Sequence, residues 1–216
     1  MTEQRSDINE TAEFLVHLGR SARAEAVGAQ LTAAQWTGLR FFARANRASR
    51  TPSAFASFQA TTRGTASQTV KSLESKGLLR RRRCEHDGRS VRFEVTQAGR
   101  LMLEGDPLRH LTAAIERLPA EDRTALARAL PVLIFEMSRS RCVPAFGTCG
   151  DCAHFGTGRS GAYCACVAAE LQPDEIGQIC ASFALRLSES TAPAQELEPE
   201  QAQIAADENF VKGEQG

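Results

Sequence analysis

Residues 62–100 read TRGTASQTVKSLESKGLLRRRRCEHDGRSVRFEVTQAGR, and the reading of this stretch decides the fold. Thr62 has the chemistry of a helix N-cap, a hydroxyl that accepts an orphan backbone N–H. Ala66, Val70 and Leu73 then recur at helical spacing and predict an inward face. Arg63, Thr65, Ser67, Gln68 and Lys71 are left on or near the outer face. Gly77 suits the left-handed residue just past a helix end. Beyond it, Val91, Phe93 and Val95 alternate as in a strand with one buried face, and Asp87-Gly88 supplies the turn of a hairpin. Between Thr61 and Arg100 ten Lys/Arg face four Asp/Glu, although the whole chain is formally neutral. Basic charge concentrated on one small unit is the footprint of a polyanionic partner.

Working outward, helical spacing of Ile8, Ala12, Leu15 and Leu18 predicts a first helix from about Asp7 to Gly28. A second opens at LTAAQW, where Thr32 and Gln35 stand in capping-box relation, with Trp36, Leu39 and Ala43 repeating on one side. Trp36 reads as a core anchor. Pro52 opens a short helix through Ser53 to Gln59. Past the hairpin, helices are expected over 106–117 and 120–139, the latter kinked or interrupted at Pro131. The predicted class is mainly α with a small β-hairpin wing: a winged helix-turn-helix, flanking helical segments (the dimerisation helices that the family resemblance given below implies) and a Cys-rich module. The expected divisions are 1–30 (N-terminal helix), 31–100 (winged helix-turn-helix, DNA-binding domain), 101–140 (C-terminal helices), 141–184 (Cys-rich module) and 185–216 (acidic tail, expected to be disordered). From Ala184 to Gly216 there are seven acids and two bases.

In such a fold the second helix of the motif enters the major groove with its early residues at base edges. Arg63 can donate twice to guanine, and Gln68 can pair with adenine. Thr62, Thr65, Ser67 and Lys71 suit phosphates, which fix register. Arg89, at the hairpin tip, is shaped for a minor groove, and Asp87 can orient it through an ion pair. Of Arg80 to Arg83, strand alternation leaves one or two for phosphate and the others for acids or water.

The runs LTAAQWTGLRFF, TRGTASQTVKSLESKGLLRRR and DGRSVRFEVTQAGR resemble the MarR family of bacterial transcriptional regulators over roughly residues 8–139. The resemblance implies a homodimer with intertwined terminal helices. It also implies binding to a pseudo-palindromic double-stranded operator, usually as a repressor, and a possible small-molecule ligand. Thr62, Arg63, Thr65, Ser67, Gln68, Asp87 and Arg89 match its DNA-contacting positions. Gly64 departs from the pattern, which often has proline there.

No signal-type or membrane-spanning run is present, so the expected location is cytoplasmic. Nothing resembles a nucleophile–base pair, a phosphate loop or a metallohydrolase helix, so no enzyme is expected. Six of seven cysteines fall between Cys142 and Cys180. In a reducing compartment, such a cluster points to metal or redox chemistry before structural disulfides. Cys149 and Cys152 form a C-x2-C pair, eleven residues precede Cys164, and fifteen more precede Cys180. Four thiolates from one loop, one middle position and one later helix can enclose a tetrahedral centre. Gly150 favours the tight turn, and Phe155, Tyr163 and Phe183 sit where they can shield it. Cys166 rivals Cys164; Cys84 and Cys142 are expected to be unligated. The spacing is similar to that of high-potential-type iron–sulfur modules, which favours a [4Fe–4S] cluster, with zinc as the alternative. The expected role is a DNA-binding regulator whose metal centre senses redox state, oxygen or iron. It would do so by bracing the segment after the last dimer helix and setting the spacing of two recognition helices. The alternative is a zinc-stabilised assembly protein whose module recruits a partner.

Overall fold

Phenylalanines from two short helices set the centre of the fold. In a computed structural model, which describes residues 2–22, 30–83, 91–141, 143–158 and 161–186, α2 (Ala33–Arg44) presents Trp36, Leu39, Phe41 and Phe42 to the interior. Phe55 of α3 (Pro52–Phe58) meets Phe41 and Phe42 at ring-centroid distances of 5.5 and 5.8 Å. Each fully buried ring contributes about 2 kcal/mol of apolar transfer. The Thr32–Gln35 capping box forms in both directions, and Trp36 is buried as expected. Ala43 is exposed instead of continuing the apolar row. The bulkier Phe42, one position earlier, takes the inward place.

α4 (Arg63–Ser75) packs Ala66, Val70 and Leu73 into this core, all essentially inaccessible. Gly77, with φ of +72°, makes the left-handed exit. β1 (Leu79–Arg83) and β2 (Val91–Val95) pair antiparallel, with Leu79 opposite Val95 and Arg81 opposite Phe93. Phe93 and Val95 turn inward and the basic residues outward. Cys84, Asp87, Gly88 and Arg89 lie outside the described residues, as does Cys142.

The hairpin is followed by a helix that the spacing did not suggest, α5 (Gln97–Glu104). The Thr96 hydroxyl caps it by accepting from Gly99 N at 3.1 Å. Gly99 is buried there; a β-carbon would collide with the Leu78 carbonyl and approach Val95 Cγ1 to 2.7 Å. Arg40 Nη1 of α2 then grips Asp106 Oδ1 at 2.8 Å, and the same oxygen accepts from Leu108 N.

The remaining helices are amphipathic but little buried. α1 covers Thr2–Ser21, and α6 (Arg109–Glu116) and α7 (Ala120–Ser140) contain no buried residue. α7 passes through Pro131 as one element, against the expected interruption. The surface around Pro131 is exposed, so water can serve the carbonyl that loses its helical partner.

The Cys-rich segment is built from short strands. β3 (Gly147–Thr148) pairs antiparallel with β7 (Ile179–Cys180), and β4 (Phe155–Thr157), β5 (Ala162–Cys164) and β6 (Ala169–Glu170) form a small antiparallel sheet. Cys180 therefore lies on a strand, where a helix was expected. The C-x2-C turn is a 3-10 turn over Cys149–Asp151, closed by Cys152 N to Cys149 O at 3.2 Å. Gly150 needs no left-handed backbone in it; the positive-φ glycines among the described residues are Gly77 and Gly161. The described residues up to Leu185 cluster as one compact unit.

Candidate nucleic-acid interface and cysteine site

The first turn of α4 is fixed by its own cap. Thr62 Oγ1 accepts from Thr65 N at 3.2 Å and lies 2.9 Å from Thr65 Oγ1, so the two hydroxyls form one polar knot at the helix start. Thr62, Arg63, Thr65, Gln68 and Lys71 are exposed and Ser67 is half-buried. They form a polar, basic surface opposite the Ala66–Val70–Leu73 face. Among the described residues, neither Arg63 nor Lys71 has an acidic partner, so both cations are free to meet an anion. Around Gly64 the nearest group to an added β-carbon would be Thr62 Oγ1 at 3.8 Å, so the missing side chain leaves this first turn open.

The arginine strand divides its work. Arg80 reaches Glu94 Oε2 through Nε at 2.9 Å and Nη2 at 2.6 Å, and Arg82 Nε reaches the same oxygen at 3.2 Å. Partial burial pulls the Glu94 pKa up, but the hydrogen bonds and charges of Arg80 and Arg82 prevail and hold it below the ordinary carboxylate range. Arg81 and Arg83 are exposed, with no acid partner among the described residues.

Cys149, Cys152, Cys164 and Cys180 are all buried, at 3–7 % exposure, while Cys166 is exposed. Burial pushes the Cys149 thiol above its usual range. A hydrogen bond from Asn46 opposes this, and the charges of Cys180, Cys164 and Cys152 push it further up. The other three thiols thus lie within electrostatic reach of Cys149. Three of the sulfurs also accept N–H donors: Cys149 from Asn46 Nδ2 at 3.7 Å, Cys152 from Ala184 N at 3.5 Å, and Cys180 from Ser182 N at 3.4 Å. Among the described residues, no group of three or more His, Cys, Asp or Glu is placed to hold a metal ion as it stands. The donor set nonetheless has the chemistry for a thiolate-bound group: four sulfurs, shielded from water, three of them met by backbone or amide N–H. Phe155, Tyr163 and Phe183 are half-buried, and Phe183 lies so close over Gly147 that a β-carbon there would meet its ring at 2.5 Å.

The module's place is the main surprise. It seats on the corner between α2 and α3. Ala45 bridges Ile179 in parallel, Asn46 N donates to Ile179 O at 2.9 Å, and Ala181 N donates to Ser49 Oγ at 2.9 Å. Ile179 belongs to the same core as the buried side chains of α2, α3 and α4, and Phe146 stands edge-on to Phe58 at 5.2 Å. Arg47 Nη2 lies 3.5 Å from the buried Glu175 carboxylate. Sequence reasoning passed over Asn46, Glu175 and Asp106. An Asn directly before Arg-Ala-Ser is a legible turn cap, but its partner lies 103 residues away.

A short helix, a capped recognition helix and a two-stranded basic wing on one core make a winged helix-turn-helix. Residues 29–90 match the family model described as MarR family, so this stretch is similar to that family's sequences. The MarR family transcription regulator SP03579 is similar in fold, with 16% identity and a TM-score of 0.51 over 65% of this chain and 97% of that one. FabT of Streptococcus pneumoniae, solved in complex with DNA, is 23% identical over 63% of this chain and 98% of that one, with a TM-score of 0.47. A MarR transcriptional regulator from Methanosarcina mazei Go1 is 18% identical over 62% and 98%, with a TM-score of 0.48. No curated protein matches the sequence. Among the described residues, no helix is long and apolar enough to cross a membrane.

Proposed function

We propose that this chain is a DNA-binding transcriptional regulator that acts as a homodimer and carries a four-cysteine metal centre. The observation that supports DNA reading best is α4, whose capped first turn presents Arg63 and Thr65, with Gln68 and Lys71 exposed further along the helix. Arg63 and Gln68 serve base edges, and Thr62, Thr65, Ser67 and Lys71 serve phosphates. Asp87 and Arg89, which lie outside the described residues, are the further candidates from the sequence for DNA contact. Dimerisation is supported by the apolar side chains left uncovered on α1 and α7: Ile8, Phe14, Val16, Ile134 and Met137 are each at least half exposed. A second copy would cover such surface.

Cys149, Cys152, Cys164 and Cys180 would hold the metal centre, a [4Fe–4S] cluster in preference to zinc. When bound, a cluster supplies a reversible one-electron change, and its loss reports oxygen or iron scarcity. The chain's own part is to exclude water and to supply N–H donors to the sulfurs. Because the module rests on the α2–α3 corner, its order bears on the reader lobe directly. That is a shorter route than the expected change in spacing between recognition helices. Protein purified without air and assayed for iron, sulfide and zinc tests the centre. An Arg63→Ala, Gln68→Ala variant tests the reader, by loss of salt-dependent duplex binding. One zinc per chain in colourless protein favours the structural, partner-recruiting alternative.

A further inference from the structure

Asn46 is a buried amide with both ends engaged. It is 6 % exposed, at the start of the 3-10 turn Arg47–Ser49 that leads from α2 to α3. Its Oδ1 accepts from Ser49 N at 2.9 Å, which fixes which end of the amide is oxygen. The Nδ2 end therefore points at Cys149 Sγ, 3.7 Å away. Its backbone N–H is also spent on the module, donating to Ile179 O beside Cys180. The corner it caps continues into the reader. Arg50 Nε donates to Ala45 O at 2.9 Å, and Arg50 O accepts from Phe93 N of the wing strand at 2.9 Å. Thr51 then caps α3 by accepting from Ala54 N.

We propose that Asn46 is the positioning residue of the cysteine centre: its N–H holds the Cys149 sulfur while its carbonyl oxygen caps the turn that joins α2 to α3 and the wing. One side chain thus links the centre to the DNA-reading lobe. The inference rests on the reading that the four cysteines bind a metal. A neutral thiol is a weak acceptor, whereas an N–H bond to a metal-held thiolate is charge-assisted. Loading the centre strengthens the Asn46 contact and, through the shared amide, steadies the turn at Ser49.

Cobalt(II) alone is the probe, because thiolate coordination gives it a visible signature and the full chain can be titrated without air. Two variants keep the cap and remove the donor: Asn46→Ser, with a hydroxyl too short to span both contacts, and Asn46→Asp, with a carboxylate in place of the amide. Asn, Asp and Ser cap comparably, so the turn persists. The expected result is a loss of cobalt affinity of about 10–100-fold in both, the size usual for removing an outer hydrogen bond from a ligand. In the wild type, loading should slow hydrogen exchange at the Ser49 amide at least several-fold, and in Asn46→Ser it should not. A purely structural cap would leave affinity and spectrum unmoved. If Asn46→Ser binds cobalt as tightly as wild type and keeps the slowed exchange, the proposal is overturned. If wild type binds cobalt and the Ser49 amide ignores it, the link fails while the metal reading stands. Wild type that takes up no cobalt removes the metal reading, and the link with it.

Discussion

Ala45, the residue that ends α2, pairs its backbone with Ile179, which stands next to Cys180. The side chain of Ile179 is 8 % exposed and lies in the same apolar cluster as Phe41, Phe42 and Phe55. The Cys-rich segment is thereby a wall of the reader's core. Ile179→Ala should destabilise the reader itself by about 3 kcal/mol, as large-to-small changes in cores do. The chain has one tryptophan, Trp36, inside that core, so urea unfolding followed by its fluorescence reads the reader alone. A midpoint unmoved by Ile179→Ala would show that the segment folds independently.

The cap at Thr62 gives a second expectation. Thr62→Ala should cost about 1 kcal/mol of stability, and Thr62→Ser should cost little, because only the hydroxyl is needed to accept from Thr65 N. Thermal unfolding compares them. In DNA binding, Thr62→Ala should also loosen the first turn that aims Arg63.

Glu94 carries a pH dependence with a definite sign. Its carboxyl is held below the ordinary range by Arg80 and Arg82 in spite of partial burial. A depressed carboxylate contributes stability that is complete above its unfolded pKa, about 4.3, and is lost as pH falls through the lower folded value. The stability advantage of wild type over Glu94→Gln should therefore be constant at neutral pH and shrink below about pH 4.3. The contact is half exposed, and the difference should be small and salt-sensitive. Glu94→Gln also releases two guanidiniums, so its binding to mixed-sequence duplex should be tighter at low salt and fall more steeply as salt rises. Equal salt slopes would mean that Arg80 and Arg82 face away from phosphate.

For the metal centre, anaerobically purified protein is expected to be coloured, with iron and sulfide in equal amounts. The colour should be lost in Cys149→Ser or Cys180→Ser and kept in Cys166→Ser, since Cys166 is exposed while the other four are buried. Retention of full iron by Cys180→Ser would remove that residue from the ligand set.

Local rules made the reader lobe legible. Thr62, the Ala66–Val70–Leu73 face, Gly77 and the alternation of Val91, Phe93 and Val95 all act within a few residues, and each appears where periodicity or capping chemistry places it. α5 escaped because Thr96-Gln97-Ala98-Gly99 reads as a strand exit. Only the close approach of Leu78 and Val95 to Gly99 explains why a glycine lies inside a helix there. Pro131 does not interrupt α7 as one of the two expected outcomes had it, since an exposed helix tolerates the missing bond. The cysteine spacing drew attention to the four positions that are buried together, but not to what they rest upon. Nothing local links Asn46 to Cys149 or Ser49 to Ala181; those contacts arise only when the chain folds back over more than a hundred residues.

The central claim is that the α4 surface grips duplex DNA. The most direct measurement is the affinity of full-length protein for a mixed-sequence duplex at several salt concentrations, for wild type and for an Arg63→Ala, Lys71→Ala variant. The account predicts a linear fall of log affinity with log salt, and a slope shallower by about 0.9 for each phosphate contact the variant loses. A variant with the same affinity and the same slope as wild type would contradict it.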